Sequence, residues 1–182
     1  MQTGAMGHAV ELLFDPTTEA AIKGVWARLE TAGVPSLASW THRRHRPHIS
    51  LSVAKRIDTG QLQAVRDCLA ATHLDVTLYS PAVFPRPGVL YLSVVPTLAL
   101  LRLHEEVHAG LRDAMVDPRD GYSVGDWMPH CTLAHDLTRL QLTRGIDLLH
   151  DQPPVTAHVN DAGLLDTTTG EVLPLAALRS HE

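Results

Sequence analysis

Two short segments of the chain each carry a histidine followed, two positions later, by a hydroxyl residue. They read PHISL (47–51) and PHCTL (129–133). With 12 histidines in 182 residues, about two such His-x-(Ser/Thr) pairs are expected by chance alone. The pairs therefore gain meaning only from the elements that carry them.

An imidazole beside a hydroxyl group suits phosphoryl chemistry. Because the ordinary pKa of histidine lies near neutrality, one imidazole can accept a proton while a second donates one. Hydroxyl groups can hold the non-bridging oxygens of a phosphate and stabilise the charge that develops on them. Such an arrangement needs no metal ion.

The elements around the two segments repeat in the same order. In the first half, a strand-like segment (8–14) is followed by a helical pattern, the first motif and a second helical pattern. In the second half, a strand-like segment (89–95) is followed by the same elements around the second motif. The two histidines lie 82 positions apart (130 − 48), and adding 82 to 8–14 gives 90–96. Repetition at this length, with only two copies, indicates a duplicated lobe and not a solenoid.

Alternation along each motif strand predicts where the polar side chains point. His48 and Ser50 share one face, and so do His130 and Thr132, while the intervening residues face the other way. If a pseudo-two-fold axis relates the lobes, the two polar faces meet across a cleft.

The remaining patterns complete a single domain. Strands are predicted at 74–80 and 155–160, and a hairpin at 163–175 turns near Thr169–Gly170. We expect one domain over 1–182, with pseudo-symmetric lobes built around motif strands 47–54 and 129–135. The fold class is α+β: a bilobal, duplicated lobe with two antiparallel sheets around a central cleft and helices outside.

Composition narrows the classes of function. Apolar residues make up 45%, which is typical of a globular protein. The N-terminus lacks a signal-peptide pattern, and the longest apolar stretch (89–101) is interrupted by Pro96, so a soluble, cytoplasmic protein is expected. The net charge of −5 argues against binding along a long nucleic-acid backbone. A monomer without a protein partner is expected.

One basic segment stands out against this acidic background. Residues 42–48 hold three arginines and three histidines, which is either a solvated loop or a rim that attracts phosphate. Nearby aromatic side chains either stack on a base or pack in the core. The candidate substrate-binding residues are Arg43, Arg44, Arg46, Trp40, Phe84 and Trp127.

Two histidine groupings raise the question of a metal site. His42, His45 and His48 lie close in sequence, but neither a carboxylate nor a cysteine completes a known ligand spacing. The stretch 104–108, HEEVH, matches the zincin letters, but it falls in the helix that repeats 16–33 and has no third ligand nearby. We therefore expect no metal and no cofactor.

The paired segments within a duplicated lobe resemble the 2H phosphoesterase superfamily, and within it the branch that contains 2′-5′ RNA ligases and RNA 2′,3′-cyclic phosphodiesterases. The stretch 84–107 is also similar to the segment that joins the family's two lobes. The resemblance implies His48 and His130 as the catalytic acid–base pair, with Ser50 and Thr132 binding phosphate. It leaves open which histidine is the base, and we favour His130.

The resemblance implies metal-independent opening of cyclic phosphodiesters, with a nucleotide or an RNA end bearing a 2′,3′-cyclic phosphate as substrate. Two alternatives remain at this stage. One is a related reaction, 2′-5′ RNA ligation or cleavage of a cyclic oligonucleotide. The other is a non-catalytic nucleotide- or RNA-binding module, which would have no need of both imidazoles.

Overall fold

The structure, a computed structural model, describes residues 7–40 and 42–179. Helices and strands alternate irregularly along this part of the chain. In order they are β1 (His8–Phe14), α1 (Pro16–Thr31), β2 (His48–Ile57), α2 (Gln63–Ala71), β3 (Asp75–Phe84), β4 (Val89–Val94), α3 (Leu98–Leu111), β5 (Met115–Pro118), β6 (His130–Ala134), α4 (Arg139–Leu148), β7 (Val155–Asp166) and β8 (Val172–Ala177).

The strands form two antiparallel sheets that share the long strand β7. Residues 155–158 of β7 pair with β3, and residues 159–166 pair with β1. The strand order is β5-β2-β1-β7-β3-β4-β6, with β8 on β7. This arrangement confirms the α+β fold and puts one motif strand, β2, in one sheet and the other, β6, at the edge of the second.

Helices α1 and α4 begin where the sequence supplies caps. The Asp15 carboxylate accepts the backbone N–H of Thr17, and Pro16 takes the first helical position of α1. Thr138 and Gln141 form a reciprocal capping box at the start of α4. In the part of the chain described, no helix is long and apolar enough to cross a bilayer.

Three elements differ from the sequence prediction. Strand β5 is not among the strands predicted from sequence, and it can contain Pro118 because it lies at a sheet edge. The helix after β2 starts as a 3-10 turn (Thr59–Gln61) capped by Asp58, and α2 follows. The predicted strand 155–160 and the first strand of the predicted hairpin 163–175 are one continuous strand, because β7 runs unbroken from Val155 to Asp166.

A close backbone approach ties the β3–β4 turn to the end of β6. Gly88 has a φ of +88°, and a Cβ atom there would lie 2.3 Å from the carbonyl oxygen of Leu137. The Gly88 carbonyl also accepts the N–H of Leu137 at 2.9 Å. Only glycine supplies both the left-handed conformation and the missing side chain. The contact therefore fixes the segment that follows the second motif strand.

Gly88→Ala should destabilise the protein more than Gly121→Ala does. Both glycines have positive φ, +88° and +81°, but a Cβ at position 121 meets nothing within 4 Å. Backbone strain alone costs about 1–2 kcal/mol, and only position 88 adds a backbone clash. Urea unfolding of the two variants measures the difference. Equal losses of unfolding free energy would show that the approach to Leu137 is not tight.

Candidate active site

The two motif strands lie against each other although they belong to different sheets. The indole N–H of Trp127, just before β6, donates to the carbonyl of Ser50 on β2 at 3.1 Å. The backbone N–H of Leu37, in the loop before β2, donates to the carbonyl of Leu133 on β6 at 2.9 Å. These reciprocal bonds hold each motif strand to the segment that leads into the other.

The two motif imidazoles are anchored in the same way. Nδ1 of His48 lies 2.7 Å from the carbonyl oxygen of Arg46, and Nδ1 of His130 lies 2.7 Å from that of Met128. A carbonyl oxygen only accepts, so each Nδ1 carries a hydrogen and donates it. The proton-exchanging atom of each ring is therefore Nε2.

The surroundings of His130 are aromatic. Its ring centroid lies 5.2 Å from those of both Phe84 and Tyr91, which themselves stack at 4.3 Å. Burial lowers the pKa of His130, and the charge of His48 lowers this pKa further, which outweighs the hydrogen bond to Met128. An imidazole in this position is neutral at neutral pH, and its Nε2 can accept a proton.

The surroundings of His48 are ionic. Oε1 of Glu11, on β1, lies 3.3 Å from Nε2 of His48. Glu11 is only 4% exposed, and burial raises the pKa of its carboxyl against the opposing charges of His48 and Arg46. Sequence reasoning missed this residue, although a charged residue inside a buried strand is rare unless it is paired, and that was the available signal.

The two motif hydroxyl residues take matching places. Ser50 lies opposite Glu11 in the β1–β2 ladder, and Thr132 lies opposite Tyr91 in the β4–β6 ladder. Ser50 is half-buried and Thr132 is 7% exposed. Within the described residues, neither hydroxyl has a hydrogen-bond partner in the protein.

The three arginines of the predicted rim have different surroundings in the structure. The guanidinium of Arg46 is bound to the Glu19 carboxylate at 2.8–2.9 Å. Arg43 lines a cavity against α1 with Trp26 and Glu30. Arg44 is exposed.

The three aromatic residues predicted to stack on a base also differ in burial and in ring contacts. Phe84 is half-buried against the His130 ring. Trp40 is half-buried, with its ring 5.7 Å from that of His135. Trp127 is 9% exposed and stacks on His104 at 4.1 Å, so the structure gives it a core-packing position.

The two histidines of the HEEVH stretch, His104 and His108, make structural hydrogen bonds to backbone carbonyls. Nε2 of His104 donates to the carbonyl of Tyr122 at 3.0 Å, and Nε2 of His108 donates to that of Leu51 at 3.1 Å. Both contacts anchor neighbouring segments to α3. No group of three His, Cys, Asp or Glu side chains with metal-binding geometry occurs among residues 7–40 and 42–179.

Comparison with known proteins identifies the fold and the family of this chain. No curated protein sequence matches the chain. Among solved structures, TT0787 of Thermus thermophilus is 15% identical, with a TM-score of 0.58, over 93% of this chain and 95% of that one.

Two further solved structures share the fold. E. coli LigT, complexed with phosphate, is 17% identical with a TM-score of 0.58, over 96% and 98% of the two chains. Kluyveromyces marxianus Usb1, with uridine monophosphate, is 14% identical with a TM-score of 0.50, over 95% and 98%. The sequence model of a protein family described as "2'-5' RNA ligase superfamily" matches residues 16–171. The chain therefore belongs to the 2'-5' RNA ligase superfamily of 2H phosphoesterases.

Proposed function

We propose that this protein is a metal-independent phosphodiesterase that opens the 2′,3′-cyclic phosphate of a nucleotide or an RNA end. The observation that carries the proposal is the pair of imidazoles on β2 and β6, each anchored through Nδ1 at 2.7 Å and each followed by a hydroxyl residue. Such a pair offers two Nε2 atoms and two hydroxyl groups to one phosphate.

The proposed reaction is hydrolysis by general acid–base catalysis. Nε2 of one histidine takes a proton from water as the water oxygen attacks phosphorus. The bond from phosphorus to one ribose oxygen breaks, and that oxygen receives a proton from Nε2 of the other histidine. Ser50 and Thr132 donate hydrogen bonds to the non-bridging oxygens, where negative charge grows.

The unequal surroundings of the two rings support a definite assignment of roles. His130, whose pKa is lowered by burial, suits the base because it is neutral before the reaction. His48, whose Nε2 lies 3.3 Å from the Glu11 carboxyl, is assigned as the acid, the role that remains once His130 is the base. This agrees with the assignment favoured from sequence.

The solved relatives support a ligand of this size. The LigT and Usb1 structures hold phosphate and uridine monophosphate, respectively. The superfamily's description names 2'-5' RNA ligation, and this reaction is the second candidate because it uses the same acid and base. Incubation with two RNA fragments, one ending in a cyclic phosphate, distinguishes joining from hydrolysis.

Replacing either histidine should abolish most of the activity. His48→Ala and His130→Ala should each reduce the rate of 2′,3′-cyclic nucleotide hydrolysis on the order of 10²–10⁴-fold. Ser50→Ala and Thr132→Ala each remove one phosphate-binding donor, a loss of up to about 10²–10³-fold. The reaction should proceed unchanged in EDTA. Activity in the double histidine variant, or loss in EDTA with recovery on adding zinc, would refute the mechanism.

Phe84→Ala should raise the pKa of His130 towards its ordinary value, because water then reaches the ring. A base must be unprotonated to act, so the acidic limb of the pH–rate profile should move to higher pH. NMR titration of the His130 ring measures the pKa directly. The matched control is Tyr79→Ala, because Tyr79 lies on the same strand and is 58% exposed. An unmoved His130 titration in Phe84→Ala would contradict this account.

Arg44 is the rim arginine that we propose for attracting substrate phosphate, since it is exposed beside the first motif. Arg44→Ala should raise KM and leave kcat nearly unchanged, because the guanidinium acts before the chemical step. The effect should weaken at high salt. Arg102→Ala, an exposed arginine on α3, is the control. The rim proposal fails if both variants keep the wild-type KM.

A further inference from the structure

The buried carboxyl of Glu11 exchanges no proton with the substrate in the reaction proposed above. It sits on a central strand of the sheet, where ionised groups are costly, and its nearest charged partner is the ring of His48 at 3.3 Å. We propose that Glu11 is a positioning residue that holds the transferable proton on Nε2 of His48. This inference rests on the proposed function, because that proton is the one delivered to the departing ribose oxygen.

The hydrogen-bonding pattern allows one transferable proton in the pair. The hydrogen on Nδ1 of His48 is committed to the Arg46 carbonyl. A second proton lies on either Nε2 of His48 or Oε1 of Glu11. On Nε2 it gives an ion pair, and on Oε1 it gives a carboxylic acid beside a neutral ring. The separation of 3.3 Å is longer than a usual N–H···O hydrogen bond, about 2.7–3.2 Å. Glu11 therefore acts on the ring mainly by its charge.

The other imidazoles around His48 do not compete for this proton. Burial lowers the pKa of His45 to about 3 and that of His135 to about 4, and it also lowers the pKa of His130. The charge of His48 contributes to lowering each of these values. Of these rings, His48 is the one that lies 3.3 Å from the buried Glu11 carboxyl, and the carboxylate that faces His135 is that of Asp136.

Titratable or charged groups face the pair from each surrounding segment. They are His45 and Arg46 before β2, Tyr122 before β6, His130 and Cys131 on β6, and His135 after it. Burial raises the pKa of the Cys131 thiol to about 12 and also raises the pKa of Tyr122, so both stay neutral during catalysis. Arg46 keeps a constant charge.

The opposite lobe shows that this carboxyl is not a requirement of the fold. Glu11 lies opposite Ser50, and the residue in the matching place opposite Thr132 is Tyr91. One lobe therefore gives its histidine an acidic neighbour and the other an aromatic one. The duplicated sites differ at the position that decides whether a ring is charged.

The main test compares Glu11→Gln with Glu19→Gln. The amide keeps the shape of Glu11 but removes its charge, so the alkaline limb of the kcat profile, which reports loss of the acid's proton, should move to lower pH. The loss in kcat at pH 8 should exceed the loss at pH 6 by about tenfold, the effect of a one-unit displacement. Glu19 binds Arg46 and not His48, so its variant should keep the wild-type alkaline limb.

Stability supplies a readout that does not depend on activity. A carboxyl whose folded pKa is raised binds more protons when folded, so unfolding free energy falls as pH rises through the window above the unfolded pKa. Glu11→Gln removes this penalty and should melt at a higher temperature than the wild type at pH 8. The gain should shrink as the pH falls towards 4.5.

Ring 15N NMR of the wild-type protein tests the same idea without a variant. At pH 7, Nε2 of His48 should carry a proton and Nε2 of His130 should not. An unprotonated His48 Nε2, or alkaline limbs displaced equally in Glu11→Gln and Glu19→Gln, would overturn the role of Glu11. If Glu11→Gln does not fold, Glu11→Asp keeps the charge and should retain the wild-type alkaline limb. A wild-type protein without hydrolytic activity would refute the proposed function, and the NMR result would still decide the proton's position.

Discussion

The orientation of the catalytic candidates depends on one repeated contact, the hydrogen bond from an imidazole Nδ1 to the carbonyl two residues earlier. At 2.7 Å in both copies, this bond fixes the tautomer and turns Nε2 away from the backbone. The carbonyl itself is held where the loop enters the strand. Proline precedes each histidine in the sequence, and the extended conformation that proline favours in its neighbour suits this entry.

The contact is useful only because the two motif strands meet. Strand β2 lies in one sheet and β6 at the edge of the other, and β7 joins the sheets by pairing with both β1 and β3. Local bonds from Trp127 and Leu37 then bind each motif strand to the loop of the other lobe. The duplicated halves are therefore assembled around the site, and their polar residues need no long side chains to reach it.

The two motif histidines make the same backbone contact but have different side chains around them. Acid–base hydrolysis needs two groups in opposite protonation states, which two identical surroundings would not provide. The aromatic side chains of Phe84 and Tyr91 pack against His130, while the Glu11 carboxyl lies 3.3 Å from Nε2 of His48. In the reaction that we propose, the different roles of the two histidines follow from side chains on the neighbouring strands.

The parts of the molecule that local sequence patterns specify are predictable from the sequence. Period-two alternation placed His48 and Ser50 on the same face of a strand, which is β2 in the structure. A charged residue in an apolar strand could have marked Glu11, but the identity of its partner depends on the β1–β2 register and on an irregularity in that ladder between Val10 and Glu11. For the same reason, the packing of Trp127 on His104 required the tertiary contact to be known.

The most direct test of this account is a crystal structure of the protein with a nucleoside 2′-monophosphate, the product of opening a 2′,3′-cyclic phosphate at its 3′ oxygen. We expect one phosphate group within hydrogen-bond distance of Nε2 of His48 and of Nε2 of His130. The hydroxyls of Ser50 and Thr132 should contact its remaining oxygens. A phosphate bound elsewhere, with the two imidazoles not converging on it, would contradict the central claim that these strands form a single phosphate site.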